Sequence, residues 1–420
     1  MLAAVQGDLL WHVLLALAAV VTAGQVLGRL FRLVGQPPVI GEVLAGILLG
    51  PSLLGRVWPE AYAYLLPQAI VPSLSVIAQL GVILYMFAIG LELNTDGLRR
   101  IGTSALAISA AGIVLPFILG VLLALGIHAS QANGVALTPF ALFLGVAMSI
   151  TAFPVLARIL TDRGLTRTPL GMLALACAAA DDATAWCLLA LVTGVAKAQV
   201  GQAMSVFSWT LAYLAVMFFL VRPAIGRWLA ASTEKTITTA QVGVAMVLLL
   251  LSVLATEWIG IHALFGAFLL GALVPHDSPL AEQLGKHIEN VVVVLLLPAF
   301  FAFTGMRTEI GLLSSVGDWL LCGLIILIAT VGKFGGALAA ARLTGQSWRD
   351  SAAVGTLMNT RGLMELIVLN IGLDLGIISP RLFAMMVLMA LVTTIATTPV
   401  LLWIRGREGE AVCRGTSAEP

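Results

Sequence analysis

The chain has 420 residues, 60% of them hydrophobic and 10% charged, with a formal net charge of +1. Soluble domains carry roughly 45–50% apolar and about 25% charged residues, so no stretch of this chain has enough charge to clothe a water-facing surface. An integral membrane protein is expected, and near-neutral charge excludes bulk attraction to nucleic acid.

A bilayer core takes about 20 mostly apolar residues per helix. Thirteen candidate spans follow, at roughly 9–30, 38–54, 70–91, 102–126, 137–160, 169–193, 203–222, 236–258, 261–275, 289–306, 317–343, 351–376 and 381–404. The N-terminus has no basic stretch before its apolar run, which reads as a first span and not as a cleaved leader. Trp11, Trp58, Trp258 and Trp319 fall near span ends, as interface anchors do. Cys177, Cys187, Cys322 and Cys413 show neither metal-ligand spacing nor a disulfide framework.

Loop charge orients the spans. One side holds Arg29, Arg32, Arg99, Arg100, Arg158, Arg163, Arg167, Arg222, Arg227, Lys235, Lys286, Arg342, Arg349, Arg405, Arg407 and Arg414. The other holds Arg56, Lys197, Arg307 and Arg381. The asymmetry puts the C-terminus in the cytoplasm and the N-terminus outside.

Span two carries Glu42, read as a snorkelling carboxylate or part of an ion funnel, and span three carries Gln79, an interhelical hydrogen bonder. Span five reads FLGVAMSITAFPVLARIL. Pro154 removes a backbone donor and clashes with the preceding turn, so the helix kinks or unwinds near Thr151–Pro154, where Ser149 and Thr151 offer hydroxyl oxygens. His128, His262 and His287 lie in or beside connections and read as solvated loop residues.

A charge at a helix centre costs roughly 2.5–3.5 kcal/mol on insertion scales. Span six nonetheless carries Asp181 and Asp182 at its middle, span eleven carries Lys333, and span twelve carries Arg361 and Glu365. Arg361 and Glu365 stand four apart on one face and suit an ion pair. Asp181 and Asp182 point about 100° apart, so Lys333 neutralises one of them and leaves the other over. A leftover carboxylate at mid-membrane is either protonated or facing a watery cavity with a cation. Proton and cation then compete for one site. If the loaded site faces either side and the empty charged one crosses poorly, cation is exchanged for proton. Span twelve is interrupted at mid-depth by Asn359, Thr360, Arg361 and Gly362. Spans five and twelve are an odd number apart and run in opposite senses, which suits an inverted-repeat transporter whose half-helix ends meet at the midplane. Lys333 and Arg361 are placed to offset the ends that present carbonyls.

These residues, in GQPPVIGEVLAGILLGPSLLG (35–55), LGVILYMFAIGLELN (80–94), SITAFPVLARIL (149–160), AAADDATAW (178–186), FFAFTGMRTEI (300–310), VGKFGG (331–336) and MNTRGLMELIVLNIGLDLGIIS (358–379), cover nearly the whole chain. It resembles the monovalent cation:proton antiporter-2 family, which includes bacterial Na+/H+ and K+/H+ antiporters and plant cation/proton exchangers. The resemblance implies an all-α membrane fold of about thirteen spans with inverted repeats and two broken crossing helices. It implies a homodimer in the cell (inner) membrane and an elevator-like motion of a core against a scaffold. Residues 1–405 form a single transmembrane domain, with scaffold helices at roughly 1–69 and 203–288 and core helices at roughly 70–193 and 289–404; 406–420 is a short cytoplasmic tail. Asp182 matches the carboxylate that binds cation or proton, and Asp181 its neighbour, which pairs with Lys333 in electrogenic members. Thr151 and the TAFP break match the first unwound helix, and Asn359 to Gly362 the second.

The expected function is antiport of Na+ or K+ against H+, with Asp182 and Asp181 meeting the transported ion and no enzymatic chemistry or resident cofactor. The partners are those ions, membrane lipid and a second copy, with no nucleic acid. The tail leaves no room for the long nucleotide-binding domain of many potassium-efflux relatives, so nucleotide gating through this polypeptide is not expected. Two acids with Lys333 lean towards electrogenic exchange, while Arg361 is shared with members held to be electroneutral. The rival readings are a cation channel or leak pathway, against which occluded midplane carboxylates argue, and a sodium-coupled solute symporter, for which no second polar pocket is seen.

Overall fold

A computed structural model of the chain describes residues 2–92, 102–132, 134–166, 168–197, 203–230, 237–275 and 277–405. The tail 406–420 and six of the counted basic residues (Arg99, Arg100, Arg167, Lys235, Arg407 and Arg414) lie outside the described residues.

All regular elements among these residues are helical. They are α1 (Leu2–Leu33), α2 (Pro38–Leu49), α3 (Leu54–Val57), α4 (Pro59–Leu65), α5 (Val71–Glu92), α6 (Thr103–Gln131), α7 (Leu137–Ser149), α8 (Phe153–Asp162), α9 (Pro169–Lys197) and α10 (Ala203–Val216). There follow α11 (Arg222–Ala230), α12 (Thr239–Ile259), α13 (Ala263–Leu273), α14 (Pro279–Val291), α15 (Leu297–Arg307), α16 (Val316–Leu343), α17 (Trp348–Met358), α18 (Leu363–Asp374) and α19 (Pro380–Arg405). Single π-helical turns, Met217–Val221 and Val292–Leu296, join α10 to α11 and α14 to α15.

Eleven stretches are long and apolar enough to cross a bilayer, and α17 with α18, bent by 43°, makes a twelfth. The candidate at 261–275 is the eleven-residue α13, shorter than a full crossing. The fold is thus all-α with eleven or twelve full spans, and each of the thirteen predicted stretches has a helical counterpart.

The chain packs into two compact units. The described residues of one fall within 1–21, 58–99 and 186–303, and those of the other within 22–57, 100–185 and 304–420. In the first, α5 and α13 touch through glycine: a Cβ on Gly90 would lie 2.9 Å from the Gly271 Cα. Tyr213, Ser252 and the Gly266 carbonyl link α10, α12 and α13 by hydrogen bonds of 2.7 and 2.8 Å.

In the second unit, α6 and α16 pack through small residues. A Cβ on Gly332 would sit 2.9 Å from the Pro116 Cα, and one on Gly336 2.7 Å from the Ala111 carbonyl oxygen. Two small residues four apart let backbones approach closely, the arrangement that holds helices together where lipid supplies no hydrophobic drive. Lys333 stands beside Gly332, so the contact that lets these helices touch also carries a full positive charge into the unit's interior.

Candidate functional site

The site begins with two broken helices in the second unit. The first spans α7 and α8. Regular structure ends at Ser149, Ile150 and Ala152 are extended, and α8 starts at Phe153 with Pro154 in its first turn. Proline is tolerated there because its missing N–H would have no intrahelical partner. The interruption therefore lies just before Pro154, at 150–152. The second spans α17 and α18, with Asn359 capping α17 and Gly362 preceding α18 at φ 159°, ψ −133°. A Cβ on Gly362 would come within 2.8 Å of the Val155 side chain.

The breaks meet. The Ala152 N–H donates to the Thr360 carbonyl at 3.0 Å, and the Thr151 hydroxyl lies 3.2 Å from the Met358 carbonyl. Each interruption thus answers backbone groups the other leaves open, as apolar surroundings require.

Two cations close the C-terminal end of α7. Lys333 Nζ donates to the Ser149 carbonyl at 2.5 Å. Arg361 Nη1 and Nη2 donate to the carbonyls of Ala147 and Met148 at 3.0 and 2.6 Å. Both side chains are fully buried. A helix C-terminus is a partial negative charge with orphan carbonyls, so positive side chains there supply both hydrogen bonds and charge.

Each cation also pairs with a carboxylate. Arg361 Nη1 reaches Glu365 Oε2 at 2.9 Å, within the first turn of α18. Lys333 Nζ reaches Asp181 Oδ2 at 2.7 Å. Asp181 is further held by Ser109 Oγ at 2.5 Å and Thr151 Oγ1 at 2.9 Å, and is fully buried.

Asp182 differs. It is 3% exposed, and neither carboxyl oxygen has a hydrogen-bond partner among the described residues. The residues form two cation–carboxylate pairs, Lys333 with Asp181 and Arg361 with Glu365, and one carboxyl group over. A bare carboxylate is costly to keep in so apolar a place unless something neutralises it.

The other residues picked out from the sequence fall around this centre in different ways. The Thr151 hydroxyl joins the Asp181 cluster. That of Ser149 turns back to the Gly145 and Ile113 carbonyls at 2.7 and 3.1 Å, so Ser149 meets the cluster through its carbonyl. The Thr360 hydroxyl faces Thr397 at 3.5 Å, and the buried Asn359 Oδ1 has no hydrogen-bond partner among the described residues. His128, His262 and His287 hold backbone groups near helix ends. Glu42 lies beside Gly24, where an added Cβ would stand 3.6 Å from Glu42 Cγ.

Sequence reading missed Ser109 and Thr394. The Thr394 hydroxyl meets both backbone groups of Arg361. A lone hydroxyl in an apolar helix bonds its own preceding turn so commonly that neither carried a signal.

Residues 15–403 match the family described as "Sodium/hydrogen exchanger, transmembrane". The chain belongs to the sodium/hydrogen exchanger family. The Na(+)/H(+) antiporter NhaS4 of Synechocystis is 42% identical over 93% of this exchanger and 97% of its own length. Cation/H(+) antiporter 18 of Arabidopsis thaliana is 40% identical over 93% of this exchanger but 48% of its own length. The K(+)/H(+) antiporter 1 of Saccharomyces cerevisiae is 34% identical over 88% and 44%. The exchanger thus spans nearly all of NhaS4 and about half of the plant and yeast proteins. Its fold is that of the sodium proton antiporter MjNhaP1 from Methanocaldococcus jannaschii, with a TM-score of 0.64 at 14% identity over 93% of this chain and 98% of that one.

Proposed function

We propose that this exchanger is a secondary antiporter that moves Na+ or K+ against H+ by alternating access, with cation and proton competing for Asp182. One observation carries the reading: of three buried carboxylates around the two breaks, Asp182 alone has neither a hydrogen-bond donor nor an ion-pair partner among the described residues. Neutralised by H+ or by a monovalent cation, the site carries no net charge and crosses readily. Bare, it is held back by the cost of moving an unpaired charge through the membrane. That asymmetry couples the two flows.

Asp181, Lys333, Arg361 and Glu365 act as a fixed frame in this reading. They satisfy the α7 carbonyls and one another, so the negative charge of Asp182 stays uncompensated. Thr151 ties the frame to the first break, and Asn359 with Thr360 borders the second. The relatives bearing Na(+)/H(+) and K(+)/H(+) in their names support a monovalent cation as cargo. The protein works as a homodimer in the cell membrane, N-terminus outside and C-terminus inside. Its scaffold is formed by helices at roughly 1–69 and 203–288, and its moving core by those at roughly 70–193 and 289–404.

Purified protein in liposomes loaded with a pH-sensitive dye tests this, with Na+, K+ and Li+ titrated across a pH series. Antiport predicts that adding Na+ or K+ outside alkalinises the dye-loaded lumen, because protons leave as the cation enters, and that an imposed proton gradient drives the cation uphill. Cation flux that runs only downhill, whatever the pH gradient, would establish a channel instead.

A further inference from the structure

The second break exposes four backbone groups at Thr360 and Arg361. The Thr360 N–H donates to the Leu357 carbonyl at 3.1 Å, and the Thr360 carbonyl accepts from Ala152. The two remaining groups belong to Arg361, and one side chain serves both. The Arg361 N–H donates to Thr394 Oγ1 at 3.0 Å, and Thr394 Oγ1 donates to the Arg361 carbonyl at 2.7 Å. Thr394 is buried inside α19. Like Thr393 and Thr397, which bond the carbonyls of Met389 and Thr393, Thr394 Oγ1 also reaches the carbonyl of its own preceding turn, Ala390 at 2.8 Å, so its single proton is shared between Ala390 and Arg361 while its lone pair accepts the Arg361 N–H.

The cavity on that side is apolar, lined by Val39, Ile40, Val43, Leu366, Ala390 and Leu391 together with Gly362 and Thr394 itself. Without the hydroxyl, the Arg361 amide and carbonyl face hydrocarbon. The same residue's guanidinium holds the Ala147 and Met148 carbonyls, next to the Ser149 carbonyl held by Lys333.

We propose that Thr394 is a positioning residue for ion exchange: its hydroxyl fixes the main chain of Arg361, so that the guanidinium grips the last carbonyls of α7 and keeps the Asp181–Asp182 site in register. It rests on the antiport reading above. Thr394 touches neither carboxylate, so it acts on the cation site through Arg361.

Thr394→Val keeps the shape and removes the hydroxyl; Thr394→Ser keeps the hydroxyl. Both are compared with wild type in dye-loaded liposomes, with rates normalised to folded protein. One buried hydrogen bond is worth about a fivefold change in an equilibrium. The half-saturating Na+ or K+ concentration is therefore expected to rise about fivefold or more in Thr394→Val, with maximal rate nearly unchanged and Thr394→Ser close to wild type. Adding Thr394→Val to Arg361→Gln should shift it no further. A wild-type value in Thr394→Val, or equal shifts in the Val and Ser variants, would overturn the proposal. So would lowered melting temperature with unchanged half-saturation. Where Thr394→Val does not fold, Thr394→Cys is read in its place: a raised half-saturation supports the role and a wild-type value rejects it. A wild type that exchanges neither cation removes the antiport reading and this proposal with it.

Discussion

Lys333 Nζ stands 2.7 Å from Asp181 Oδ2, both side chains fully buried, while the side chain of Asp182, the next residue, makes no hydrogen bond among the described residues. Adjacent positions on one helix are thereby given opposite tasks. Asp181 is tied down by Lys333, Ser109 and Thr151, and Asp182 has no such partner among the described residues.

Removing Lys333 alone should be worse than removing the pair. Lys333→Gln leaves Asp181 as an uncompensated buried charge and frees the Ser149 carbonyl, at a cost of about 3–5 kcal/mol. Asp181→Asn together with Lys333→Gln relieves the charge. The double variant should melt above Lys333→Gln in detergent, as read by thermal unfolding. Equal or lower melting would show that the pair does not hold this frame.

Arg361 is not replaceable by lysine. Its fork reaches two carbonyls and a carboxylate at once, through two nitrogens 2.6–3.0 Å from their acceptors. A lysine is a point charge on a flexible stem without that geometry. Arg361→Lys should cut the exchange rate about tenfold or more, measured in liposomes. Glu365→Gln, which keeps an oxygen for the guanidinium, should be milder; the reverse ranking would contradict this account of the second break.

Competition fixes the pH dependence without reference to any other group. If one proton and one cation exclude each other on Asp182, each unit fall in pH below the point of half-protonation raises the half-saturating cation concentration about tenfold, because proton activity rises tenfold. The maximal rate at saturating cation stays level. Cation titrations across a pH series read this directly, and a half-saturation independent of pH would rule out a shared site.

The α6–α16 contact sets where Lys333 sits. Gly332→Val puts side-chain atoms into the space where even a Cβ lies 2.9 Å from the Pro116 backbone. Overpacking of this kind costs about 1–3 kcal/mol or more. The variant should be less stable and exchange slowly, while Gly335→Ala on the same helix, where an added Cβ meets nothing within 4 Å, should behave as wild type in both measurements.

Much of this was legible in the sequence because hydrocarbon makes certain residues conspicuous. Five ionisable side chains inside apolar runs stand out from composition alone, and they are the five that form the two pairs and the remaining carboxyl. Pro154 and the Asn359–Gly362 run marked both interruptions. The reading near Thr151–Pro154 overlaps the break at 150–152, but the sequence did not show that Pro154 itself sits in the first turn of α8, because a proline both ends helices and begins them. Nor did it show that Ser149 contributes a carbonyl, which depends on where α7 stops. Ser109 and Thr394 escaped because their partners lie 72 and 33 residues away, and no periodicity links helices that meet only after folding.

The most direct test of the account is exchange by Asp182→Asn. Asparagine keeps the size of the side chain but carries no charge for a cation to neutralise and takes up no proton near neutral pH. In liposomes, at wild-type abundance and with melting at or above that of wild type, this variant should show no Na+- or K+-dependent proton movement at any pH. Proton-coupled exchange at the wild-type rate would contradict the central claim.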